Sequence, residues 1–446
     1  MGADARRGDE AGAQRRLLAR AMDLVPGATL DELVLPEPVA LVPRRASGSR
    51  LQDVEGREYT DYTLGGGSLI LGHAHPDVVA AVCEQARRGS SFAMLSEPLL
   101  ELAEVLVEAI PCAEQVLFAA TGAEATYLAL RLARAATGRP GVLKFAGGYH
   151  GHHDIGVLSV TGTGSGPEPV VEVSGTSPRS LEEVWVAPFN DVERTAALLA
   201  AHRNALAAVI LEPVQRVVAP RPEFLAMLRA ETRRHGIVLI FDEIVTGFRF
   251  DYRGAQGLYH VVPDLATYGK VLGGGYPLSA IAGPRDLLRL ANPRGGPAAF
   301  SGSQHGNAVA AAAGLTTLRR LRQPGSFERL QALTHLMERT LKRAVAAAGV
   351  EGRVVVLGPV WHVLPFVPGD GPFEDHRASL PADPRRAQAG IAALSRELTA
   401  RGVLAFPRPL RGYVRGYLSL AHSEEDIERT GGRLQEALRQ ASPSFA

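Results

Sequence analysis

The stretch Ile237–Phe250, "IVLIFDEIVTGFRF", decides the reading of this chain. Its first five residues form an unbroken apolar run that reads as a strand buried on both faces. At the carboxyl end stand two acids, Asp242 and Glu243, and the chain then turns apolar again. An ionised carboxylate buried without a partner is costly. Neighbouring side chains of a strand point to opposite faces, so the two acids need separate partners. The partner of Glu243 is open at this level.

The same rhythm extends outward on both sides. Before the stretch come the helical pattern "EPLLELAEVLVEAI", the strand "QVLFA", the helix "GAEATYLALRLARAATG" with a glycine stop, and the strand "GVLKF". The strand "AAVILEP" and a helix from Glu223 to His235 follow, and beyond the stretch lies "LATYGKVLGGG". Buried strands alternating with helices predict an α/β fold with a largely parallel sheet covered on both faces. Ligands of such sheets sit beyond the carboxyl ends of the strands, where Glu212, Asp242 and Lys270 fall. Gly162–Pro178, "GTGSGPEPVVEVSGTSP", predicts a long loop and a candidate lid. From about Gln323 the pattern changes to a long helix (Phe327 to Ala348), the strands of "RVVVLGPVWHVLPF", and helices from Pro384 to Arg401 and from Glu424 to Gln440. The expected division is an N-terminal segment, 1–74, contributing to the small domain and the active site, a large domain, 75–323, and a smaller α+β domain, 324–446.

Composition narrows the function. The 446 residues carry a formal net charge of +1, which gives no reason to expect nucleic acid or an acidic membrane as partner. No apolar run is long enough to span a bilayer. The first residues include Asp4, Asp9 and Glu10 and lack an apolar signal core, and Arg6 breaks the myristoylation pattern. Two cysteines, Cys83 and Cys112, suit a reducing compartment, so a cytoplasmic location is expected.

Only three of the 48 basic residues are lysines: Lys144, Lys270 and Lys342. Lysine, unlike arginine, deprotonates readily and attacks carbonyls, so each is worth weighing. Lys342 lies on an amphipathic helix and Lys144 ends a strand, where a structural cation suffices. Lys270 follows a strand and precedes Gly273, Gly274 and Gly275, which let a backbone approach a ligand closely. It reads either as a Schiff-base lysine of lowered pKa or as a surface lysine in a turn. "ATGAEATYLAL" opens a helix at Thr121, Gly122 and Ala123, either a phosphate site or an ordinary threonine cap completed by Glu124. "GGYHGHHD" offers Tyr149 as a stacking platform, with His150, His152 and His153 beside it; their spacing lacks the helical pair a metal reading wants, and no metal is expected. "GTGSG" is not followed by a helix, which discounts a dinucleotide fingerprint. A lysine that traps aldehydes, a buried aspartate, a phosphate-ready helix start and an aromatic platform together are what pyridoxal phosphate requires.

With these motifs in hand, the chain resembles class III aminotransferases of fold type I, in the glutamate-1-semialdehyde aminomutase branch. The resemblance is carried by "DVEGREYTDYTLGGGSLILGHAHPDVVAAV", "ATGAEATYLALRLARAATGR", "KFAGGYHGHHD", "AVILEPV", "LIFDEIVTGFR", "PDLATYGKVLGGGYPLSAIAG" and "SLAHSEEDIERT", in family order from about residue 53 to 430. It implies pyridoxal 5'-phosphate as cofactor, Lys270 as the Schiff-base lysine and Asp242 as partner of the pyridine nitrogen. It further implies Ile244 under the ring, Tyr149 over it, Gln215 near the phenolic oxygen, and Thr121, Gly122 and Ala123 at the phosphate. Ser303, in "FSGSQHGN", would reach that phosphate from a neighbouring subunit, which implies a homodimer with a shared active site. Glu212 belongs to the motif without a firm role and is expected, with Gly65, Gly66 and His305, in the substrate pocket.

Departures from the family bear on the substrate, expected to be a small molecule. Gly65 and Gly66 replace a Ser-Trp pair, which predicts more room. No arginine occurs between Arg20 and Arg44, where the aminomutase holds its substrate carboxylate. Val217 stands where ornithine- and GABA-type enzymes keep a gating glutamate, and His305 replaces a small residue beside the cofactor. A buried charge without its partner is disfavoured, so glutamate semialdehyde fits poorly. The leading expectation is amino transfer between an amino donor and a carbonyl acceptor. The alternatives are an aminomutase, with Gly162–Pro178 retaining the intermediate, and a non-catalytic binding or regulatory protein on the same fold. A Rossmann oxidoreductase lacks its glycine fingerprint.

Overall fold

The computed structural model describes residues 12–30, 35, 39–162, 164 and 166–445. The acids of the first ten residues, on which the leader expectation rests, lie outside the described residues, as do 31–34 and 36–38 of the arginine-free stretch. The chain divides into two compact units. The larger comprises Pro76–Phe327 and Pro372–Ser379, and the smaller comprises the chain up to His75, Glu328–Gly371 and the chain from Leu380.

The larger unit is built on a seven-stranded sheet in the spatial order Gln115–Ala119, Ser279–Gly283, Leu265–Tyr268, Val238–Asp242, Leu206–Leu211, Gly141–Phe145, Val184–Ala187. Ser279–Gly283 runs antiparallel to both of its neighbours, and the remaining pairs are parallel. The four central parallel strands are buried along their whole length, as continuous apolar runs require. Helices Gly122–Thr137, Val192–His202 and Pro222–His235 connect them. The last ends at Gly236, whose φ of +59° closes the helix in a left-handed turn just before the central strand begins. Parallel strands entering in register deliver Ala146–Tyr149, Glu212–Arg216, Asp242–Ile244 and Gly269–Lys270 to one edge.

Among the described residues of Gly162–Ser177 there is no helix or strand. Local bonds pin this segment: Ser159 N–H donates to Val170 O at 2.9 Å and Val186 N–H to Pro167 O at 2.8 Å. His376 Nε2 donates to Thr161 O at 2.7 Å.

The smaller unit holds two four-stranded sheets. One orders Pro43–Ser47, Arg50–Asp53, Glu58–Asp61 and Val403–Leu404; the other orders Arg353–Leu357, Val360–Leu364, Tyr413–Tyr417 and Phe406–Arg408. Its core gathers Tyr62, Trp361, Leu394, Val414 and Leu434 beside helices Pro384–Ala400 and Glu424–Ala441. Gly65 and Gly66 lie in this unit, in a turn where φ is positive from Leu64 through Gly67. Asp61 fixes the turn by accepting from Thr63 N–H at 2.7 Å and Leu64 N–H at 3.2 Å. The backbone thus requires glycine here, and a Cβ on Gly66 would meet open space.

Candidate active site

The carboxyl edge of the large sheet assembles the site. Asp242 closes the central strand and is 5% exposed. Burial is the largest influence on its carboxyl and pushes it up to about 7; against this work the Ile244 N–H, the Thr267 hydroxyl, and the charges of Lys270 and Arg216. Its Oδ2 pairs with His150 Nδ1 at 2.7 Å. Burial drives His150 down to about 3, so the imidazole is neutral and Nδ1 donates to the carboxylate. His150 Nε2 has no hydrogen-bond partner among the described residues.

Glu243 faces the other way and finds a different answer. It accepts from Ala255 N–H at 2.8 Å, from Gln256 N–H at 3.0 Å and from the Thr246 hydroxyl. It is the acid that caps the short helix Gly254–Tyr259. A Cβ on Gly254 would lie 2.7 Å from its Oε1, and the φ of +73° there favours glycine in any case. Burial still raises the carboxyl above its ordinary range.

Lys270 begins the tight turn Lys270–Gly273 with φ of +44°, a left-handed conformation that costs a residue other than glycine on the order of 1–3 kcal/mol. Ile244 packs between this turn and the helix start: a Cβ built on either Gly122 or Gly269 would lie 3.0 Å from its Cδ1. Ser279 Oγ donates to Thr121 O at 2.8 Å, tying the same two segments. Thr121 caps the helix, accepting from Glu124 N–H at 3.2 Å. The Glu124 carboxylate reaches back to Ala120 N–H at 2.8 Å and takes His305 Nε2 at 2.6 Å. His305, expected in the substrate pocket, is therefore placed against the helix-opening acid. Ser303 is exposed, its carbonyl accepting from Ser91 Oγ at 3.4 Å.

The turn after the strand Gly141–Phe145 is gripped from the neighbouring strand end. Gln215 Nε2 donates to Ala146 O at 2.6 Å, Arg216 Nε donates to Gly147 O at 3.2 Å, and Glu212 Oε1 accepts from Tyr149 N–H at 2.9 Å. Glu212, expected in the substrate pocket, holds the backbone of Tyr149. Sequence reasoning missed two participants, His150 and Arg216. The signal for His150 was present: a buried acid at one strand end wants a donor, and this histidine follows another. Of the remaining histidines, His153 accepts from Gly156 N–H at 3.2 Å and caps a short helix.

The arrangement joins a lysine, a dry carboxylate and an open helix start around one apolar side chain. A match to the model of the family "Aminotransferase class-III" spans residues 35–362. The chain belongs to the class III aminotransferases. A glutamate-1-semialdehyde 2,1-aminomutase of Roseiflexus castenholzii is 40% identical to it over 429 residues, covering 95% of this chain and 96% of that one. An omega-transaminase from Sphaerobacter thermophilus superposes with a TM-score of 0.89 at 34% identity, covering 96% of this chain and 98% of that one. A transaminase with PLP bound superposes with a TM-score of 0.86 at 30% identity, covering 97% and 98%. This aminotransferase is an α/β enzyme of fold type I whose cofactor is pyridoxal phosphate. Its own residues fit that group. The first N–H groups of helix Gly122–Thr137 have no partner within the helix and suit a phosphate. Gln215 Oε1 and His150 Nε2 are buried polar atoms unpaired among the described residues. None of the described helices is long and apolar enough to cross a membrane.

Proposed function

We propose that this enzyme moves an amino group from an amine donor to a separate carbonyl acceptor. The observation that carries the reading is Lys270, held in a left-handed turn at the sheet edge within the electrostatic reach of the dry Asp242. Pyridoxal phosphate supplies, when bound, a carbonyl carbon for amines and a ring that withdraws electrons from the reacting carbon. Lys270 would hold that carbonyl carbon and, once displaced, carry a proton to and from the substrate carbon as base and acid. Asp242, steadied by His150, would keep a proton on the pyridine nitrogen. Thr121, Gly122 and Ala123 would take the phosphate, Ile244 and Tyr149 would flank the ring, and Gln215 would face the phenolic oxygen. Ser303 of a second copy would complete the phosphate site, which makes a homodimer the working unit. Two free cysteines, one exposed and one buried, suit a reducing cytoplasm.

The second reading, an aminomutase returning the amine to another carbon of one substrate, is favoured by the name of the curated relative. Against glutamate semialdehyde stands the absence of arginine from residue 21 to residue 43. A half-reaction screen separates the two. Single amines added to the pyridoxal form should convert it stoichiometrically to the pyridoxamine form, and a carbonyl acceptor should restore it. Isomerisation of glutamate-1-semialdehyde alone, with no response to separate donors, would replace the transferase reading by the mutase. Protein that takes up no pyridoxal phosphate, or keeps full activity as Lys270→Ala, would end both.

A further inference from the structure

The helix start assigned to the phosphate carries an acid of its own. Glu124 stands in the first turn of helix Gly122–Thr137, three residues after the cap Thr121. A loose carboxylate there would sit at the positive end of the helix dipole and repel a second anion. This one is tied back. Its Oε2 accepts from Ala120 N–H at 2.8 Å, and its Oε1 takes His305 Nε2 at 2.6 Å. Burial alone would raise the carboxyl, yet the His305 hydrogen bond and the Ala120 N–H hold it below its ordinary value, so the acid stays ionised. His305 is the one basic side chain within ion-pair distance of Glu124 among the described residues.

His305 is itself held in place. Its N–H donates to Gly302 O at 3.0 Å, and its ring meets Phe300 edge-on with centroids 5.5 Å apart. A Cβ on Gly302 would lie 2.3 Å from Nε2, so the ring crosses the turn over a glycine that leaves it room. Two residues on, Asn307 caps helix Ala308–Leu321, accepting from Val309 N–H and Ala310 N–H at 3.1 Å each. The imidazole thus links two helix starts.

We propose that His305 is a positioning residue for the cofactor phosphate: it ties the Glu124 carboxylate back beside Ala120 and offsets its charge, so that the helix opening meets an anion without a competing acid. This role rests on the assignment of the phosphate to Thr121, Gly122 and Ala123. Without the imidazole the carboxylate keeps one backbone bond and is free to turn toward the N–H groups of Gly122 and Ala123. A phosphate would then have to displace it or bear its repulsion.

Cofactor-free protein is titrated by equilibrium dialysis with pyridoxal 5'-phosphate and, in parallel, with pyridoxal, which lacks the phosphate. The proteins are wild type, His305→Leu, His305→Lys, Glu124→Gln, and the double variant Glu124→Gln with His305→Leu. Wild type should bind the phosphorylated form more tightly than pyridoxal. His305→Leu should weaken pyridoxal phosphate roughly tenfold and leave pyridoxal unchanged. His305→Lys should keep most of the affinity, and the double variant should return to that of wild type, because the acid that needed restraint is gone. His305→Leu that binds pyridoxal phosphate like wild type, or whose loss persists in the double variant, overturns the proposal. A loss shared by both ligands would show a merely structural role and overturn it too. Should His305→Leu fail to fold, Glu124→Gln decides: pyridoxal phosphate bound at least as tightly as by wild type supports the role. Weaker binding overturns it, because the acid would then belong to the cradle. A wild type that takes up pyridoxal as tightly as the phosphorylated form strikes the phosphate assignment itself, whatever the variants do.

Discussion

Asp242 carries two demands that pull in opposite directions. Burial favours its neutral form and pushes the carboxyl up to about 7, while the role proposed for it, facing a protonated ring nitrogen, needs it ionised. A carboxyl raised above its unfolded value stabilises the fold when protonated. That contribution is complete below the ordinary carboxylate range and is lost as pH rises through about 7. Cofactor-free protein should therefore melt alike as wild type and Asp242→Asn at pH 4, and the asparagine variant should melt higher at pH 8. Thermal unfolding at the two pH values checks this; the opposite order at pH 8 would mean that the carboxylate is already compensated without cofactor. The loaded asparagine variant should lose amino transfer about a hundredfold or more, since one partner of a buried charge pair is gone. Asp242 and Lys270 were legible in the sequence because their chemistry conflicts with their surroundings: an acid on an apolar strand, a lysine in a chain that otherwise uses arginine. The His150 contact was not, because it joins residues 92 apart that only strand order brings together. The backbone of Arg216 leaves no trace in composition or periodicity.

At the scale of elements, strand Gly141–Phe145 shows why a polar residue can sit in an all-buried run. Lys144 is fully buried, and its Nζ donates to Ile155 O at 3.1 Å, Gly156 O at 3.3 Å and Leu158 O at 2.5 Å. One amine satisfies carbonyls of the short helix Asp154–Val157 and of the residue beyond it. Burial lowers the amine to about 7. Replacing Lys144 by Met should cost about 2–3 kcal/mol through the stranded carbonyls. Urea unfolding measures it, and an undiminished midpoint would show that water replaces the amine. The helix–strand alternation was read correctly from periodicity, since long apolar runs and glycine stops are local signals. The cap on Glu243 was out of reach, because helix Gly254–Tyr259 spans six residues and begins on a glycine.

For the whole molecule, the expected partner is a second copy. Phe92, Met94 and Leu95 are 40%, 78% and 72% exposed, and this apolar segment adjoins the Ser303 turn, since Ser91 Oγ donates to Ser303 O. Contiguous exposed apolar residues of this kind mark association surfaces. Sedimentation of wild type should give a dimer. Met94→Asp combined with Leu95→Asp should shift it toward monomer and weaken pyridoxal phosphate binding, read by titration of the cofactor-free protein. A dimer unaffected by both changes would place the interface elsewhere.

The segment Pro372–Ser379 belongs with the larger unit although the chain on both sides of it builds the smaller one. From it His376 donates to Thr161 O, and a Cβ on Gly147 would come within 2.6 Å of its ring. During synthesis the strands and α-helices of the larger unit are all available once residue 327 has emerged, yet this last buttress of the Tyr149 turn arrives about fifty residues later, several seconds at ordinary translation speed. A nascent chain stalled in that interval would carry the sheet and Lys270 with the Tyr149 turn held from the Glu212–Arg216 side alone, and a gene cut after residue 327 would encode that state permanently.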